Sequence, residues 1–267
     1  MTARIDLRGS RALVTGATGG LGQAIARRLA KEGAELVLSG RRTDVLEPLA
    51  KELGATAIVA DLEDLAAVDR LMEEAGPIDV LVANAALPTN GDLLEYTPEQ
   101  VARALTVNLH APIAMARTAA LGMVERGKGQ IVMIGSVSGK VASIDSSLYN
   151  ATKFGLRGFA LGFRQDLADR GVGVSIVEPG FVRESGMFVS SGAKLPPGLR
   201  TVTPEDVADG VVKAIRRDRG EVVVATIEIR AGGVLGSLLP ELAAAVQKAG
   251  GSAKVSKAMA KGHRDKR

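Results

Sequence analysis

The 267-residue chain contains no cysteine and no tryptophan, and only two histidines and two tyrosines. Without cysteine it can form no disulfide, no thiolate nucleophile and no cysteine-ligated metal site, and a zinc site would depend on carboxylates. No apolar run reaches the ~18 residues that a membrane-spanning helix needs. The first residues also lack the basic-then-apolar layout of a signal peptide, so we expect a cytoplasmic protein without a metal centre.

The net charge of +4 is placed unevenly along the chain. Residues 248–267 carry seven basic side chains and one acidic side chain, which leaves residues 1–247 with a net charge of −2. The body of the chain therefore gives no electrostatic reason to expect a nucleic-acid partner. Hydrophobic residues make up 46% of the chain, which is enough for a substantial core in one large domain.

Short apolar runs alternate with segments of helical periodicity along residues 11–226. This alternation predicts an α/β fold: a single Rossmann-type, doubly wound parallel sheet of about seven strands flanked by helices. We expect residues 1–230 to form this domain. Within it, residues 181–200 have no clear period, and a loop of that length is commonly a functional lid. Residues 231–267 are expected to form a C-terminal apolar helix and a basic tail.

A glycine-rich turn directly follows the first predicted strand, and a segment of helical spacing follows the turn. The turn reads Gly16-Ala17-Thr18-Gly19-Gly20-Leu21-Gly22. In such a strand–turn–helix unit, backbone N–H groups and the helix N-terminus face a pyrophosphate, and glycine is required because a Cβ would crowd the turn or the phosphates. We therefore predict a dinucleotide site, the alternative being a turn that binds nothing.

The second and third predicted strands end in charged residues that bear on the choice of nucleotide. Arg41 and Arg42 stand about 20 residues after the glycine turn, where an NAD site has an acidic residue and an NADP site can have an arginine. They favour NADP(H), with NAD as the alternative cofactor and two solvated arginines opening the next helix as the alternative interpretation. Asp61, followed by Leu62, either accepts a hydrogen bond from the adenine amino group or caps the helix that starts near Asp64.

Tyr149 and Lys153 are four residues apart, which puts both side chains on one face of a helix. A neighbouring ammonium favours the phenolate, so we expect the pKa of Tyr149 to lie below its usual value of about 10. Ser136 ends the fifth apolar run, at the carboxyl edge of the sheet where ligands gather. A serine hydroxyl and an acidified tyrosine can polarise and protonate one carbonyl oxygen; the alternative interpretation is an ordinary exposed helix face.

Two asparagines and a proline–glycine pair complete the set of candidate residues. Asn84 directly follows the fourth strand, and Pro179 and Gly180 close the sixth strand. Asn108 lies inside a helix predicted to run from residue 97 to about residue 126. Because asparagine is mildly unfavourable inside a helix, Asn108 either faces solvent or has a function.

Together, these motifs resemble those of the short-chain dehydrogenase/reductase family over roughly residues 8–226. The matching positions are the loop Thr15-Gly16-x-x-x-Gly20-x-Gly22, the pair Asn84-Ala85, the tetrad Asn108, Ser136, Tyr149 and Lys153, and the pair Pro179-Gly180. The resemblance implies that Tyr149 is the catalytic acid/base and that Ser136 holds the reacting oxygen. It also implies that Lys153 lowers the tyrosine pKa and binds the nicotinamide ribose, while Asn108 supports a water-linked proton relay.

The predicted cofactor site combines the glycine turn, the strand ends and part of the tetrad. We expect the nucleotide to contact Gly16, Thr18, Gly20, Leu21, Gly22, Arg41, Arg42, Asp61, Leu62, Asn84, Tyr149, Lys153, Pro179, Gly180 and Val182.

The sequence departs from the family pattern in two motifs. Ala83 and Ala86 replace the first asparagine and the last glycine of the family's Asn-Asn-Ala-Gly. After the proline–glycine pair the family often has a threonine that meets the nicotinamide carboxamide. Here Glu184 falls near that place and Ser185 follows, so Val182 and Ser185 are both candidates for this contact.

The usual ending of the family is not visible beyond residue 226. Its place is taken by an apolar stripe with helical spacing, formed by Leu235, Leu238, Leu239, Leu242, Val246 and Ala249. We interpret the stripe as core or as a subunit interface. The alternative is an amphipathic helix on an anionic membrane surface, with the lysines on its polar side.

The resemblance implies a reversible hydride transfer between NADP(H) and a carbonyl/alcohol pair. It also implies a homo-oligomer, a dimer or tetramer packed through the long helices. The Met- and Phe-rich residues 181–200 favour an apolar substrate such as a keto-lipid, steroid or terpenoid. Three other functions fit the same motifs: a non-catalytic NADP-binding sensor or scaffold, an epimerase or dehydratase, and an NAD-dependent alcohol dehydrogenase of the same family.

Overall fold

Seven parallel strands form a single sheet in the part of the chain that this computed structural model describes, residues 5–193, 200–249 and 252–263. The strands are β1 (Arg11–Thr15), β2 (Glu35–Gly40), β3 (Thr56–Val59), β4 (Val80–Ala83), β5 (Gly129–Ile134), β6 (Val172–Pro179) and β7 (Glu221–Val224). Their order across the sheet is β3-β2-β1-β4-β5-β6-β7. The predicted doubly wound parallel sheet is confirmed.

Helices connect the strands and cover both faces of the sheet. They are α1 (Gly20–Lys31), α2 (Thr43–Leu53), α3 (Leu65–Ala75), α4 (Pro98–Leu105), α5 (Ala111–Glu125), α6 (Ser147–Asp166), α7 (Gly186–Ser190), α8 (Pro204–Arg217), α9 (Ile227–Leu238), α10 (Pro240–Ala249) and α11 (Ser252–Gly262). One core packs α1 and α8 on the sheet through Ile25 and Val211, and a second packs α5 and α6 through Met115 and Leu156. Successive side chains of a strand point alternately into the two cores. Because both faces of the sheet are covered by helices, the strands are apolar on both faces.

The strand order reverses at β1, which has β2 on one side and β4 on the other. Crossovers leave β1 and β4 in opposite directions, so a crevice opens at their carboxyl ends. Val14 of β1 pairs with Leu38 of β2 and with Val82 of β4, which keeps the three strand ends close to one level. The glycine turn after Thr15 therefore lies beside Asn84, whose Nδ2 donates to the Thr15 carbonyl oxygen at 2.9 Å.

The helix predicted across residues 97–126 is interrupted. It begins with the predicted capping box, in which Thr97 Oγ1 accepts from the Gln100 N–H and the Gln100 side chain accepts from the Thr97 N–H. A π-helical turn, Thr106–His110, then separates α4 from α5. The wider turn includes Asn108, which is only 1% exposed, so the solvent-facing alternative for Asn108 is wrong.

The apolar stripe near the C-terminus lies on two helices rather than one, because α9 ends at Leu238 and a proline, favoured at the first position of a helix, begins α10. Leu235, Leu238, Leu239, Leu242 and Val246 are 43–71% exposed. The interpretation of the stripe as core is therefore wrong for the single chain, while the subunit interface and the membrane surface stay predictions. The side chain of Ala249 and the last residues of the basic tail, 264–267, lie outside the described part.

The predicted lid at residues 181–200 is described in part. It contains the short helix α7, and Phe181 packs edge-to-face on Phe188 with ring centres 5.2 Å apart. Residues 194–199, which include Leu195, Pro196 and Pro197, lie outside the described residues. No helix in the described ranges has both the length and the apolar character needed to cross a membrane.

Candidate active site

A cleft of about 990 Å³ opens at the carboxyl edge of the sheet, where the strand order reverses. Every residue predicted to contact the nucleotide lines it: Gly16, Thr18, Gly20, Leu21, Gly22, Arg41, Arg42, Asp61, Leu62, Asn84, Tyr149, Lys153, Pro179, Gly180 and Val182. Ser136 lines the cleft as well. Asn108 does not line it, and neither does Ser185, one of the two candidates for the carboxamide contact.

Ser136, Tyr149 and Lys153 come together in this cleft. Ser136 follows β5, and its Oγ accepts a hydrogen bond from the N–H of Ser138 at 3.1 Å. Ser136 also acts on the Tyr149 side chain, whose pKa it lowers. Lys153 is 3% exposed, and its Nζ lies 5.8 Å from the centre of the Tyr149 ring. Two hydroxyl groups therefore line one cleft, with an amine against the face of the phenol ring.

Burial controls the protonation of the tyrosine–lysine pair. It raises the pKa of Tyr149 above its usual value, and the neighbouring Ser136 side chain opposes that rise. It also lowers the pKa of Lys153 to about 8. Lys153 Nζ donates to the carbonyl oxygen of Ile134 at 2.9 Å. The expectation that the pKa of Tyr149 lies below about 10 is therefore wrong for the protein by itself, because desolvation of the phenol outweighs the other effects. The effect of Lys153 on this pKa stays a prediction.

Asn108 acts on the backbone behind the cleft wall. Its Oδ1 accepts from the N–H of Leu87 at 2.7 Å, and its Nδ2 donates to the carbonyl oxygen of Leu87 at 2.9 Å. Because both groups of one residue are satisfied, the segment after β4 is held against the π-helical turn. The part of Asn108 in a proton relay stays a prediction.

The glycine turn has the shape of a nucleotide cradle. Gly16 has a φ of +63°, and a Cβ on it would lie 2.8 Å from the Ala85 Cα. A Cβ on Gly22 would lie 2.2 Å from the Gly16 carbonyl oxygen, and one on Gly20 would lie 2.3 Å from the Ser185 Cβ. These positions accept only glycine without rearrangement, which leaves the backbone open to a pyrophosphate at the start of α1. The residues present therefore fit a dinucleotide.

Ser185 supplies a polar atom that the described residues leave unsatisfied. Its Oγ is buried and has no hydrogen-bond partner among them, and its side chain lies against Gly20. A buried hydroxyl without a partner is costly unless a ligand completes it. Val182 also lines the cleft. The geometry thus puts Ser185 at the glycine turn and Val182 at the cleft wall.

The two arginines after β2 have different surroundings. Arg41 Nη1 lies 3.4 Å from a carboxylate oxygen of both Asp61 and Glu63, and its side chain is half exposed. Arg42 is the N-cap residue of α2 and donates to the carbonyl oxygen of Thr18 in the glycine turn. Asp61 is not a helix cap, because Asp64 caps α3 through the N–H of Ala66. The capping alternative for Asp61 is therefore wrong.

Asn150 is a site residue that the sequence analysis missed. Its Nδ2 donates to the carbonyl oxygens of Ser138 and Val141, and its Oδ1 accepts from the N–H of Ser143. These bonds hold the segment after Ser136 against α6. An asparagine next to Tyr149 in a predicted helix was the available signal.

The C-terminal helices also belong to the site, which the sequence analysis did not predict. Apolar side chains of α9, α10 and α11 line the cleft: Leu235, Ala243, Val246, Val255 and Met259. Phe181, Met187 and Phe188 line it from the lid segment. The helical stripe was a signal of an apolar surface, but its spacing carried no information about the surface that it covers.

The residues that line the cleft indicate the class of reaction. The hydroxyls of Ser136 and Tyr149, in the same cleft as a pyrophosphate cradle, suit hydride exchange at a carbonyl or alcohol carbon, with a protein group moving the proton. The class is thus a nucleotide-dependent oxidoreductase. A model of the short chain dehydrogenase family matches residues 10–195, and the chain belongs to this family.

Known proteins agree with this assignment. The chain is 37% identical over 227 residues to ketoacyl reductase HetN of Nostoc sp. The aligned region covers 82% of this chain and 79% of the relative. It is 32% identical over 257 residues to a dehydrogenase/reductase SDR family protein 7-like of Anopheles gambiae, covering 88% and 81%. A solved short-chain dehydrogenase from Sphingobium yanoikuyae in complex with NADPH superposes with a TM-score of 0.75 at 29% identity, covering 87% of this chain and 95% of the other.

Substitution of Gly20 tests the cradle. Gly20→Ala is expected to weaken NADPH binding by about tenfold, because the new Cβ displaces Ser185 at a cost of about 1–3 kcal/mol. NADPH fluorescence titration measures the affinity. The matched control is Gly158→Ala in α6, where a Cβ meets nothing within 4 Å, and it should bind NADPH as the wild type does. Equal affinity in both variants would contradict the cradle.

Proposed function

We propose that the protein is an NADP(H)-dependent reductase/dehydrogenase that interconverts a ketone or aldehyde and the corresponding alcohol. The observation that carries this proposal is the meeting of Ser136, Tyr149 and Lys153 in the same cleft as the glycine cradle. Arg41 and Arg42 line the end of the cleft beside β2, and they occupy the positions after β2 where an NAD site has an acidic residue. The NADPH-bound relative adds support for NADP(H) over NAD.

Tyr149, Ser136 and Lys153 have different roles at the substrate oxygen. NADPH supplies the hydride when it is bound. Tyr149 is protonated at neutral pH because burial raises the pKa of its phenol, so it is a proton donor to the carbonyl oxygen. Ser136 Oγ hydrogen-bonds the same oxygen, and the amine of Lys153 below the ring stabilises the phenolate that forms. The proton and the hydride together convert the carbonyl to the alcohol.

We further propose an apolar substrate of the keto-lipid, steroid or terpenoid type. The volume of about 990 Å³ lies at the upper end of ligand sites, and it accommodates a large substrate beside the nucleotide. Phe188 on the predicted lid and Leu235 and Met259 on the C-terminal helices supply apolar side chains to the cleft wall. Such a wall favours apolar ligands, because binding removes their apolar surface from water.

We also propose a homo-oligomer packed through the long helices. Leu121 on α5 is 57% exposed, and Phe154 on α6 is 42% exposed. Large apolar side chains left on the surface of the two longest helices support a subunit interface there. The dimer and the tetramer are equally compatible with this surface.

Removal of the phenol hydroxyl tests the catalytic assignment. Tyr149→Phe is expected to lower kcat by about 100-fold or more, since general acid–base catalysis commonly contributes that much. NADPH affinity should stay close to the wild-type value. Tyr96→Phe, the other tyrosine, is the matched control and should keep its kcat. Following NADPH absorbance with a carbonyl library measures net reduction; turnover without net NADPH consumption would instead indicate an epimerase or dehydratase.

Reversal of charge at Arg41 tests the nucleotide preference. Arg41→Glu is expected to shift the ratio of kcat/KM for NADPH to that for NADH toward NADH by about tenfold, because a charged hydrogen bond to the 2′-phosphate is lost. Arg217→Glu on the exposed surface of α8 is the control for net charge. An unaltered ratio in Arg41→Glu protein would make Arg41 a bystander.

A charged side chain on the apolar wall of the cleft tests the proposed substrate class. Leu235→Glu is expected to lower kcat/KM for a bicyclic ketone such as decalone by about tenfold, because apolar contact is lost. It should leave kcat/KM for a small water-soluble ketone unchanged. Leu94→Glu is the control, since Leu94 is 92% exposed and does not line the cleft. If only small charged carbonyls react, the apolar class is excluded.

A further inference from the structure

Four charged side chains from four segments form one ion cluster behind the cleft wall. Lys140 Nζ lies 2.9 Å from Glu178 Oε2 and 2.7 Å from Glu221 Oε2. Arg157 Nε lies 3.5 Å from Glu178 Oε1 and 2.7 Å from Glu221 Oε1. Each cation therefore lies between the same two carboxylates: it donates a hydrogen bond to Glu221 and is paired with Glu178 by charge, since neither Glu178 oxygen has a hydrogen-bond partner among the described residues. The Glu178 side chain is fully buried, whereas the other three are 13–33% exposed.

The cluster connects the segments that carry the cleft residues. Lys140 comes four residues after Ser136, at the end of the 3₁₀-helical turn Val137–Gly139. Arg157 comes one helical turn after Lys153 on α6, so both side chains lie on the same face. Glu178 directly precedes Pro179 in β6. None of the four charged residues lines the cleft, so any effect on the reaction passes through the segments that they hold.

Stability is a weak reason for such a cluster. Burial raises the pKa of Glu178 to about 7, against the opposing effect of Lys140. Burial also disfavours the charge of Glu221, but its hydrogen bonds to Lys140 and Arg157 outweigh this and lower its pKa. Buried ion pairs are often replaceable by apolar residues without loss of stability, whereas they fix one geometry among their partners. The geometry fixed here is that of the cleft.

We propose that Glu178 is a positioning residue for the reductase activity proposed above. Through Lys140 and Arg157 it holds the segment after Ser136 and the helix of Tyr149 and Lys153 at a set distance from the Pro179-Gly180 pair. The serine and tyrosine hydroxyls then meet at one oxygen beside the nucleotide. The inference rests on the proposed function only for its activity readout.

Glu178→Gln tests the role, because it keeps the side-chain volume and removes the charge. We expect kcat to fall by about tenfold, since small misplacements of reacting groups are costly. We expect KM for NADPH to stay within about threefold, since the glycine cradle is built separately. The matched control is Glu32→Gln: Glu32 also bridges two cations, Arg28 and Arg216, but it lies at the C-terminal end of α1, the opposite end from the glycine turn. Its kcat should be unchanged.

A second pair of variants covers the case in which Glu178→Gln does not fold. Lys140→Met removes one cation from the cluster, and Lys140→Arg retains the charge. Loss of kcat in the first and recovery in the second support the positioning role. A wild-type kcat in folded Glu178→Gln or Lys140→Met protein, or an equal loss in Glu32→Gln protein, would overturn it.

A readout without substrate separates this proposal from the proposed function. The chain has two tyrosines, so protein labelled with 3-fluorotyrosine gives two ¹⁹F resonances, which Tyr149→Phe assigns. Glu178→Gln should move the Tyr149 resonance and leave that of Tyr96, and Glu32→Gln should move neither. A stationary Tyr149 resonance rejects the positioning role. If the resonance moves while the wild type reduces no carbonyl, the proposed function fails and the positioning role stands.

Discussion

The hydrogen bond from Lys153 Nζ to the carbonyl oxygen of Ile134 joins helix α6 to the end of strand β5, and the arrangement of the cleft depends on it. Neighbouring contacts reinforce the same junction. Asn150 holds the segment after Ser136, and Gly139 packs so closely on Lys153 that a Cβ there would lie 2.8 Å from the Lys153 carbonyl oxygen. The serine at the strand end and the tyrosine on the helix are therefore parts of one packed unit.

The same packing excludes water and so disfavours the charged forms of ionisable groups in this part of the molecule. Burial raises the pKa of Tyr149, lowers that of Lys153 to about 8 and raises that of Glu178 to about 7. Three buried groups thus have pKa values displaced toward their neutral forms. A neutral phenol is a proton donor, and this state is the one that reduction of a carbonyl requires. Displaced pKa values of this kind are common where catalysis takes place.

The cleft is formed partly by residues within the family match and partly by C-terminal helices that lie beyond it. The family match covers residues 10–195, which include the glycine turn, the tetrad and the Pro179-Gly180 pair. Helices α9, α10 and α11 lie beyond that match and supply much of the apolar lining. Since a fold supports many reactions, selectivity resides in such added walls. The apolar residues of these helices support the proposed substrate class in this way.

The sequence by itself determined the features that depend on near neighbours in the chain. The strand–turn–helix at Gly16, the four-residue spacing of Tyr149 and Lys153 and the capping box at Thr97 are local, because each follows from backbone geometry over a few residues. The alternation of strands and helices then led to the sheet, since parallel strands joined by helices have few allowed topologies.

The tertiary structure alone decided the features that depend on surroundings. The direction of the Tyr149 pKa shift follows from the atoms that exclude water around the phenol, which helical spacing does not report. The cluster of Glu178 needs residues 38 positions apart, Lys140 and Glu178, to meet through strand order. The exposure of Leu238 likewise depends on which helices cover α9. Desolvation and long-range contact are properties of the packed chain, and no local pattern encodes them.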